Sequence, residues 1–333
     1  MGASVPRPRS PDPNHPPSDG ALRCVHRHEG NTVTSILPDD LVSVAWLVGN
    51  IGQPTVRVVD IRGTVATQDL GGGRQAAIYA GAPEAYAAAH IPGSVFVDWT
   101  KDIVDPDNEV KAQIAPPARF KAAMEAIGVG DDTDVVIVDE TGGHLATRLW
   151  WALRYYGHER VAILDGGFSA WTAAGQAVTT AVAAVPLATF TPSVHPDLVR
   201  DRDQVLAQLS ERREQIVDAR AEGQYSGAVQ RGSRGGHIPG AINMPTSLLA
   251  DDDGRWKSGE EIAAAARSAG VDLERPIVAY CNGGVTATQL LFGLHRAGAK
   301  TYANYDGSWN EWGERPELPV EGNRDLFNDA KGG

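Results

Sequence analysis

Residues 276–286, which read PIVAYCNGGVT, join an apolar run to a glycine-containing turn. The apolar run predicts a buried parallel strand, and the residues from about Val285 to Ala297 predict a helix that stops at Gly298. Cys281 therefore lies where a strand turns into a helix. Unpaired backbone N–H groups and the positive end of a helix dipole meet at such a turn, and both stabilise a negatively charged sulfur. The stretch predicts that Cys281 is a nucleophile, in a setting suited to an anion or a persulfide.

The rest of the chain contains a second, similar series of landmarks. Each series has a strand ending in aspartate, the motif HIPG, an apolar strand, a helix and a segment ending in tryptophan. Ordered landmarks at a nearly constant offset indicate duplication. The alternation of strands and helices predicts that each half is an α/β domain, a mainly parallel sheet with helices on both faces. The first series is Val56–Asp60, His90–Gly93, Val135–Asp139, Ala146–Tyr156 and Ile163–Trp171; the second is Ile216–Asp218, His237–Gly240, Ile277–Tyr280, Val285–Ala297 and Asp306–Trp312.

The first half also contains an insertion, from Thr64 to about Ile78, that has no counterpart in the second. It includes Gly71-Gly72-Gly73, and we expect it to be a surface loop. Proline content and loss of periodicity give the remaining boundaries. We predict a disordered leader over 1–37, a first domain without a catalytic cysteine over 38–182, a linker over 183–197, a catalytic second domain over 198–322 and a tail over 323–333.

Composition limits the partners. The chain has 333 residues, 42% of them apolar and 22% charged, and a net charge of −12. Such a chain lacks the basic surface that nucleic acid requires, and no apolar run is long enough to span a membrane, so we expect neither partner. A small anionic substrate remains compatible with this charge, because a few arginines can reverse the field inside one cleft.

Only two cysteines, Cys24 and Cys281, are present, which excludes a disulfide scaffold. A nucleophilic thiol needs a reducing compartment, and the N-terminal residues lack the apolar core of a secretory signal, so we expect a cytoplasmic protein. Cys24, His26 and His28 form a short cluster of potential ligands, but no further ligands follow at the spacing of a zinc site. The sequence therefore predicts no metal site.

The two halves differ at the turn that holds Cys281. The corresponding turn of the first half reads Asp139-Glu140-Thr141-Gly142-Gly143-His144. A carboxylate cannot carry sulfur as a thiolate does, so we expect one active site in each chain.

Taken together, these motifs resemble the tandem-domain rhodanese family, the thiosulfate and 3-mercaptopyruvate sulfurtransferases. The resemblance extends from about Leu41 to Glu321. It implies a ping-pong reaction in which Cys281 takes a sulfane sulfur from a small anionic donor and passes it to cyanide or to a thiol, such as a thioredoxin-like reductant. It implies no metal or organic cofactor. The motifs that carry it are HIPG twice, Trp150-Trp151 and Gly157-His158 before Leu164–Gly167, the loop CNGGVT, and the ending Tyr305–Trp312 followed by Leu318–Glu321.

The loop after Cys281 suits this chemistry. Gly283 and Gly284 let the backbone curl so that successive amides, from about Asn282 through Val285 to Thr286, face a negative sulfur. The Thr286 hydroxyl can add another donor. In this family, basic residues after the cysteine accompany a preference for thiosulfate, and small neutral residues accompany a preference for 3-mercaptopyruvate. The neutral Asn282 and Gly283 therefore place 3-mercaptopyruvate slightly ahead of thiosulfate.

The resemblance also implies ligands for the donor anion. Gln224 stands where the family pattern has an arginine, and a glutamine cannot form the same bidentate ionic clamp. Arg231 and Arg234 are the remaining candidates, and we expect Arg234 to lie over the cysteine. His90, in the first HIPG motif, is a candidate acid or base with Asp60 as its partner, although His237 and Asp218 occupy the same places in the second half and favour a structural role.

Two other functions deserve comparison with this one. A phosphatase of the cysteine type needs an arginine six residues after the cysteine, where this chain has Ala287, so that reading fails. A sulfur-carrier or regulatory module that receives a persulfide without turning over a small donor remains open, because the family arginine is absent at Gln224. Multiple turnover with a small donor separates an enzyme from such a carrier.

Overall fold

The computed structural model describes residues 34–140 and 142–322, which contain thirteen strands and ten α-helices. The strands of the first half are β1 (Leu41–Val42), β2 (Val56–Asp60), β3 (Gly63–Gly71), β4 (Arg74–Gly81), β5 (Val95–Phe96), β6 (Asp134–Val138) and β7 (Val161–Leu164). Those of the second half are β8 (Val199–Arg200), β9 (Gln215–Asp218), β10 (Gln230–Arg231), β11 (Ile242–Asn243), β12 (Ile277–Tyr280) and β13 (Tyr302–Tyr305).

Each half is built on a five-stranded sheet in which every paired strand is parallel. The order is β1-β7-β6-β2-β5 in the first half and β8-β13-β12-β9-β11 in the second. The two orders are the same once the first strand of each half is matched. The prediction of two tandem α/β domains with mainly parallel sheets is therefore confirmed, and the shared topology agrees with a duplication.

Helices cover both faces of the sheets. The helices are α1 (Val44–Asn50), α2 (Pro83–Ala88), α3 (Pro117–Ala126), α4 (Ala146–Tyr155), α5 (Gly167–Ala173), α6 (Arg202–Glu211), α7 (Glu222–Tyr225), α8 (Gly259–Ala269), α9 (Val285–Arg296) and α10 (Ser308–Trp312). Alternate residues of β6 enter two different cores, Val135 and Ile137 one of them and Val136 and Val138 the other. This period of two is expected of a strand that is buried on both faces. In the described part of the chain, no helix is long and apolar enough to cross a membrane.

The two halves share one core through helices α4 and α9. A single cluster of buried side chains contains residues from both helices, and Trp150 meets Phe292 edge to face with ring centroids 5.0 Å apart. Beside this contact, Arg148 of α4 forms a buried ion pair with Asp306 of the second half at 2.5 Å. The same guanidinium donates to the carbonyl oxygen of Gly284, next to the cysteine turn, at 3.3 Å. The first half therefore supports the turn of the second directly.

The insertion of the first half is not a loop, which corrects the prediction. Its residues form the antiparallel hairpin of β3 and β4, and Gly71, Gly72 and Gly73 lie at its tip with positive φ angles. Glycine adopts this left-handed conformation without strain, so three consecutive glycines form a tight turn. Strand β4 then pairs in parallel with β10 of the second half, with Gln230 opposite Arg74. The hairpin therefore extends from the first half and packs against the second half.

Three predictions fall outside the described residues, either wholly or in part. The cluster of Cys24, His26 and His28 lies outside them, as does most of the leader over 1–37. The same holds for the tail over 323–333.

Candidate active site

Cys281 follows the central strand β12 and is 2% exposed. Its N–H donates to the Ser308 hydroxyl at 3.1 Å, and its carbonyl accepts from the N–H of Trp309 at 3.0 Å. The next carbonyl, that of Asn282, accepts from the N–H of Asn310 at 2.7 Å. Helix α10 therefore fixes the backbone on both sides of the sulfur, so the side chain has a defined position.

Helix α9 begins directly after this turn, at Val285, as the sequence predicts. Gly284 has a φ of 75°, and a Cβ there would lie 2.5 Å from Oδ1 of Asp306, so only glycine fits. No backbone carbonyl of the described chain accepts from the N–H groups between Asn282 and Thr286. These are the unpaired donors expected at the start of a helix, and here they follow the cysteine directly in the chain. The turn is therefore a cradle for a negative charge.

A cleft of about 730 Å³ lies against this turn and is lined by both halves. Its charged lining consists of three basic residues, Arg74, Lys111 and Arg231, and two acidic ones, Glu109 and Glu314. Tyr79 and Asn310 also line it, and a Cβ on Gly283 would lie 3.1 Å from the Tyr79 hydroxyl and 2.9 Å from the Asn310 amide nitrogen. The cleft therefore lies beside the cysteine loop, with Tyr79 and Asn310 between the two, and its lining has a small excess of positive charge within an acidic protein.

Arg231 is the buried cation among the residues that line this cleft. It is 8% exposed, and its charge interacts with that of Cys281. Burial lowers the pKa of its guanidinium, because water is excluded from the charge. Its Nη2 donates to the Thr67 hydroxyl at 2.8 Å, but within the described residues its Nε has no acceptor and no carboxylate forms an ion pair with it. A buried cation without a counter-ion calls for an anionic ligand.

Arg234 does not lie over the cysteine, which corrects the sequence-based choice between the two arginines. Its guanidinium donates to four backbone carbonyls, those of Trp312, Gly313, Arg315 and Leu318, at 2.5 to 3.0 Å. Four of the five N–H donors of this guanidinium are therefore used to fix the turn after α10. Arg234 is therefore a structural residue of the second half.

Gln224 lies at the cysteine loop but holds no ion. Its Oε1 accepts from Nδ2 of Asn282 at 3.0 Å, and its Nε2 donates to Oε1 of Gln75 on strand β4 at 3.2 Å. The three amides form a chain from the cysteine loop to the hairpin of the first half. Position 224 therefore belongs to a neutral network, and Arg231 is the one that remains of the sequence-based candidates for the donor anion.

Sequence reasoning missed His144, which belongs to the first half. Its Nε2 lies 2.9 Å from the hydroxyl of Thr286, at the start of α9. Burial lowers the pKa of His144 to about 4, so the imidazole is neutral at physiological pH. Thr286 therefore has a neutral partner that orients its hydroxyl, rather than a general acid. The one signal in the sequence was its place in the turn that corresponds to the cysteine turn.

His90 is a structural histidine, which corrects its candidacy as an acid or base. The ring is 1% exposed, stacks on Tyr86, and has the carbonyl oxygens of Tyr86 and Ala181 at 2.7 and 3.1 Å from its two nitrogens. His237 stacks on Tyr225 in the same way in the second half. Asp60 likewise forms an ion pair with the nearby Arg62. These residues support turns and do not reach the cleft.

The turn of the first half contains an acidic side chain of its own. Asp139 follows strand β6 as Cys281 follows β12, and its Oδ2 accepts from the N–H groups of Leu145 and Ala146 at 3.0 and 3.2 Å. Complete burial raises the pKa of Asp139 to about 7, although these amide donors oppose the change. The helix-start amides that follow the cysteine in one half are bonded to a carboxyl group in the other.

Comparisons with known proteins agree with this architecture. The family model of the Rhodanese-like domain matches residues 43–174 and 201–315. The chain is 34% identical to the thiosulfate sulfurtransferase of Rattus norvegicus, over 86% of this chain and 97% of the relative. It is 33% identical to the 3-mercaptopyruvate sulfurtransferase of Escherichia coli K12, over 84% of this chain and 97% of the relative.

A solved structure gives the same result in three dimensions. The 3-mercaptopyruvate sulfotransferase SseA from Escherichia coli superposes with a TM-score of 0.72 at 30% identity, covering 81% of this chain and 98% of that one. Both halves of the chain are matched by the family model, and the relatives are matched over nearly their whole length. The chain therefore belongs to the rhodanese-like family, in its tandem-domain form.

Proposed function

We propose that this protein is a sulfurtransferase that moves a sulfane sulfur from 3-mercaptopyruvate or thiosulfate, through a persulfide on Cys281, to cyanide or a thiol. The observation that carries the proposal is that Cys281, directly before helix α9, lies close enough to the buried Arg231 for the two groups to interact electrostatically. A nucleophilic sulfur at the start of a helix is thus near a buried guanidinium that has no carboxylate partner in the described chain. An anionic sulfur donor would present its outer sulfur to Cys281 and its negative charge to Arg231.

In the first half-reaction, the Cys281 thiolate attacks the outer sulfur of the donor. A sulfur–sulfur bond forms to Cys281, and the bond between that sulfur and the rest of the donor breaks. Its electron pair leaves on sulfite when the donor is thiosulfate, or on the enolate of pyruvate, which then takes a proton, when the donor is 3-mercaptopyruvate. Arg231 holds the anionic part of the donor, and the amides from Asn282 to Thr286 stabilise the negative sulfur in the transition state.

In the second half-reaction, an acceptor removes the outer sulfur. Cyanide attacks it and leaves as thiocyanate, or a thiolate attacks it and leaves as a persulfide, and in both cases the electron pair returns to Cys281 as a thiolate. The loop amides serve this step as well, because the thiolate that leaves carries the charge that they stabilise. A reduced thiol is needed in every cycle, so we place the reaction in the cytoplasm.

For the donor, we favour 3-mercaptopyruvate over thiosulfate. The loop after Cys281 provides no positive side chain, since Asn282 and Gly283 are neutral. One guanidinium, Arg231, suits a monocarboxylate better than a dianion. The relatives named above include enzymes of both kinds.

A side-by-side cyanolysis assay tests the proposal. Wild-type protein should form thiocyanate over many turnovers with at least one of the two donors, and mass spectrometry of donor-treated protein without cyanide should find one added sulfur on Cys281. Cys281→Ser should show neither. A single stoichiometric transfer without turnover would instead identify a sulfur carrier, and an adduct on Cys24 would contradict the assignment.

A further inference from the structure

The hairpin of β3 and β4 contacts the catalytic half along strand β10 and, through Tyr79, at the cysteine loop. It belongs to the half that has no catalytic cysteine, and the described residues of the second half form no strand pair in the same position. Strand β4 pairs with β10, with Gln75 opposite Arg231. The strand that holds the anion-facing arginine is thus aligned by a strand from the other half.

Side chains of the hairpin extend this alignment. The Thr67 hydroxyl on β3 is the hydrogen-bond acceptor that the structure gives to the Arg231 guanidinium, at 2.8 Å. Gln75 on β4 ends the amide chain through Gln224 to Asn282. The Arg231 side chain can swing over a range of positions in an open cleft, because it has several rotatable bonds. The hydrogen bond from Nη2 to the Thr67 hydroxyl restricts that range. It leaves Nε of Arg231 without an acceptor among the described residues.

Tyr79, also on β4, brings a hydroxyl to the cysteine loop itself. That hydroxyl lies 3.1 Å from the position a Cβ of Gly283 would occupy, and the ring packs edge to face on Trp99 at 5.3 Å. Burial raises the pKa of Tyr79, so the hydroxyl keeps its proton and can donate. Gly283 has no side chain to offer a donor here. The tyrosine fills that place from the other half of the molecule.

We propose that the β3–β4 hairpin completes the donor-binding site, with Tyr79 as a hydroxyl ligand of the donor and Thr67 as a positioning residue that orients Arg231. The hairpin then acts only in the half-reaction that consumes the donor, because cyanide, the small acceptor, carries no group for these residues to hold. This inference rests on the proposed function and adds a prediction that the function alone does not make.

Ping-pong kinetics separate the two half-reactions. The value of kcat/KM for the donor depends on the first alone, and that for cyanide on the second alone. Thr67→Val and Tyr79→Phe should each lower kcat/KM for 3-mercaptopyruvate or thiosulfate by about five- to tenfold, the loss of one hydrogen bond to a charged group. Both should leave kcat/KM for cyanide within about twofold of the wild-type value.

Matched variants serve as controls. Thr67→Ser keeps the hydroxyl and should have the wild-type kcat/KM for the donor. If Thr67 acted instead through packing of its methyl group, Thr67→Ser would also lower this constant. Thr64→Val makes the same substitution on the opposite face of the same strand, where no described residue of the second half bonds to the hydroxyl, and it should change neither constant.

Two results would overturn the inference while the wild-type protein still turns over. Either both variants keep the donor constant, or they lower the donor and cyanide constants equally, as a general disturbance of the fold would. If instead the wild-type protein formed no persulfide on Cys281, the proposed function itself would fail. The two failures are therefore distinct.

Discussion

The turns that follow β6 and β12 have the same place in the fold, but one begins with an aspartate and the other with a cysteine. In the first half, Asp139 turns its carboxyl group back onto the N–H groups of Leu145 and Ala146. In the second half, Cys281 ends in a single sulfur, and no backbone carbonyl of the described residues accepts from the amides after it. In the first turn the amides are bonded to a group of the protein, and in the second we propose that they stabilise a sulfur. A shared backbone therefore provides the charge stabilisation, and one side chain decides whether chemistry can follow.

The largest expected effect comes from exchanging the decisive side chain. Cys281→Ser should lower sulfur transfer by at least about 10⁴-fold, because an alcohol at neutral pH is a far weaker nucleophile and cannot carry a sulfane sulfur. Thiocyanate formation measures it. The matched change in the other turn, Asp139→Asn, should keep transfer within about twofold, and a large loss there would mean that the first turn takes part in the reaction.

The second effect concerns stability, and its sign follows from the raised pKa of Asp139. The folded protein binds this proton up to about pH 7, whereas the unfolded chain releases it near pH 4. Folding therefore takes up a proton within this window, so the contribution of Asp139 to stability is full below it and falls as the pH rises through it. The free energy of unfolding of the wild type, minus that of Asp139→Asn, should fall by up to about 4 kcal/mol from pH 4 to pH 7. Denaturant unfolding at several pH values measures this difference, and a flat difference would contradict it.

The third effect tests the buried cation near the cysteine turn. Arg231→Met should lower kcat/KM for the donor by about 30- to 100-fold, since the anion loses its one buried counter-ion, and should change the free energy of unfolding little. Arg234→Met is the matched control with the opposite expectation. It leaves four carbonyls without their donor, so it should reduce stability and spare the donor constant of the folded protein. Equal losses of donor binding in the two variants would refute the distinction.

The smallest effect comes from adding a second cation at the cysteine turn. Gln224→Arg should lower the KM for the anionic donor by about threefold, less than an ideal clamp would, because the new side chain also removes the acceptor of the Asn282 amide. The gain should shrink as ionic strength rises. An unchanged KM at low salt would mean that position 224 lies beyond the reach of the donor.

The parts of this molecule that could be predicted are those with local sequence signals. The strand before Cys281, the glycines after it and the helix from Val285 all follow from residues within one short stretch, and the duplication follows from repeated motifs. The choice between Arg231 and Arg234 could not be made in this way. The two residues stand three positions apart in the same glycine-rich run, and the difference lies in the carbonyls of residues 312–318, which the fold brings to one of them.

The hairpin and His144 escaped prediction for a related reason. A glycine triplet indicates a tight turn equally well in a loop and in a hairpin, and the partner strand β10 lies far away in the sequence. His144 contacts Thr286 because α4 and α9 pack together, and a contact between halves has no local pattern. Residues of one half that serve the site of the other are thus the hardest to find from the sequence.

The ion pair of Arg148 with Asp306 has a consequence for any attempt to cut the protein in two. A fragment containing the second half alone would keep the nucleophile and its helix but would leave the Asp306 carboxylate without its guanidinium, and would expose the apolar face of α9. Loss of one partner from a buried pair costs about 3 to 5 kcal/mol, a large share of the stability of a typical domain. The second half, which contains Cys281, is therefore not an independent module. The first half, although it has no catalytic cysteine, is part of the same folding unit.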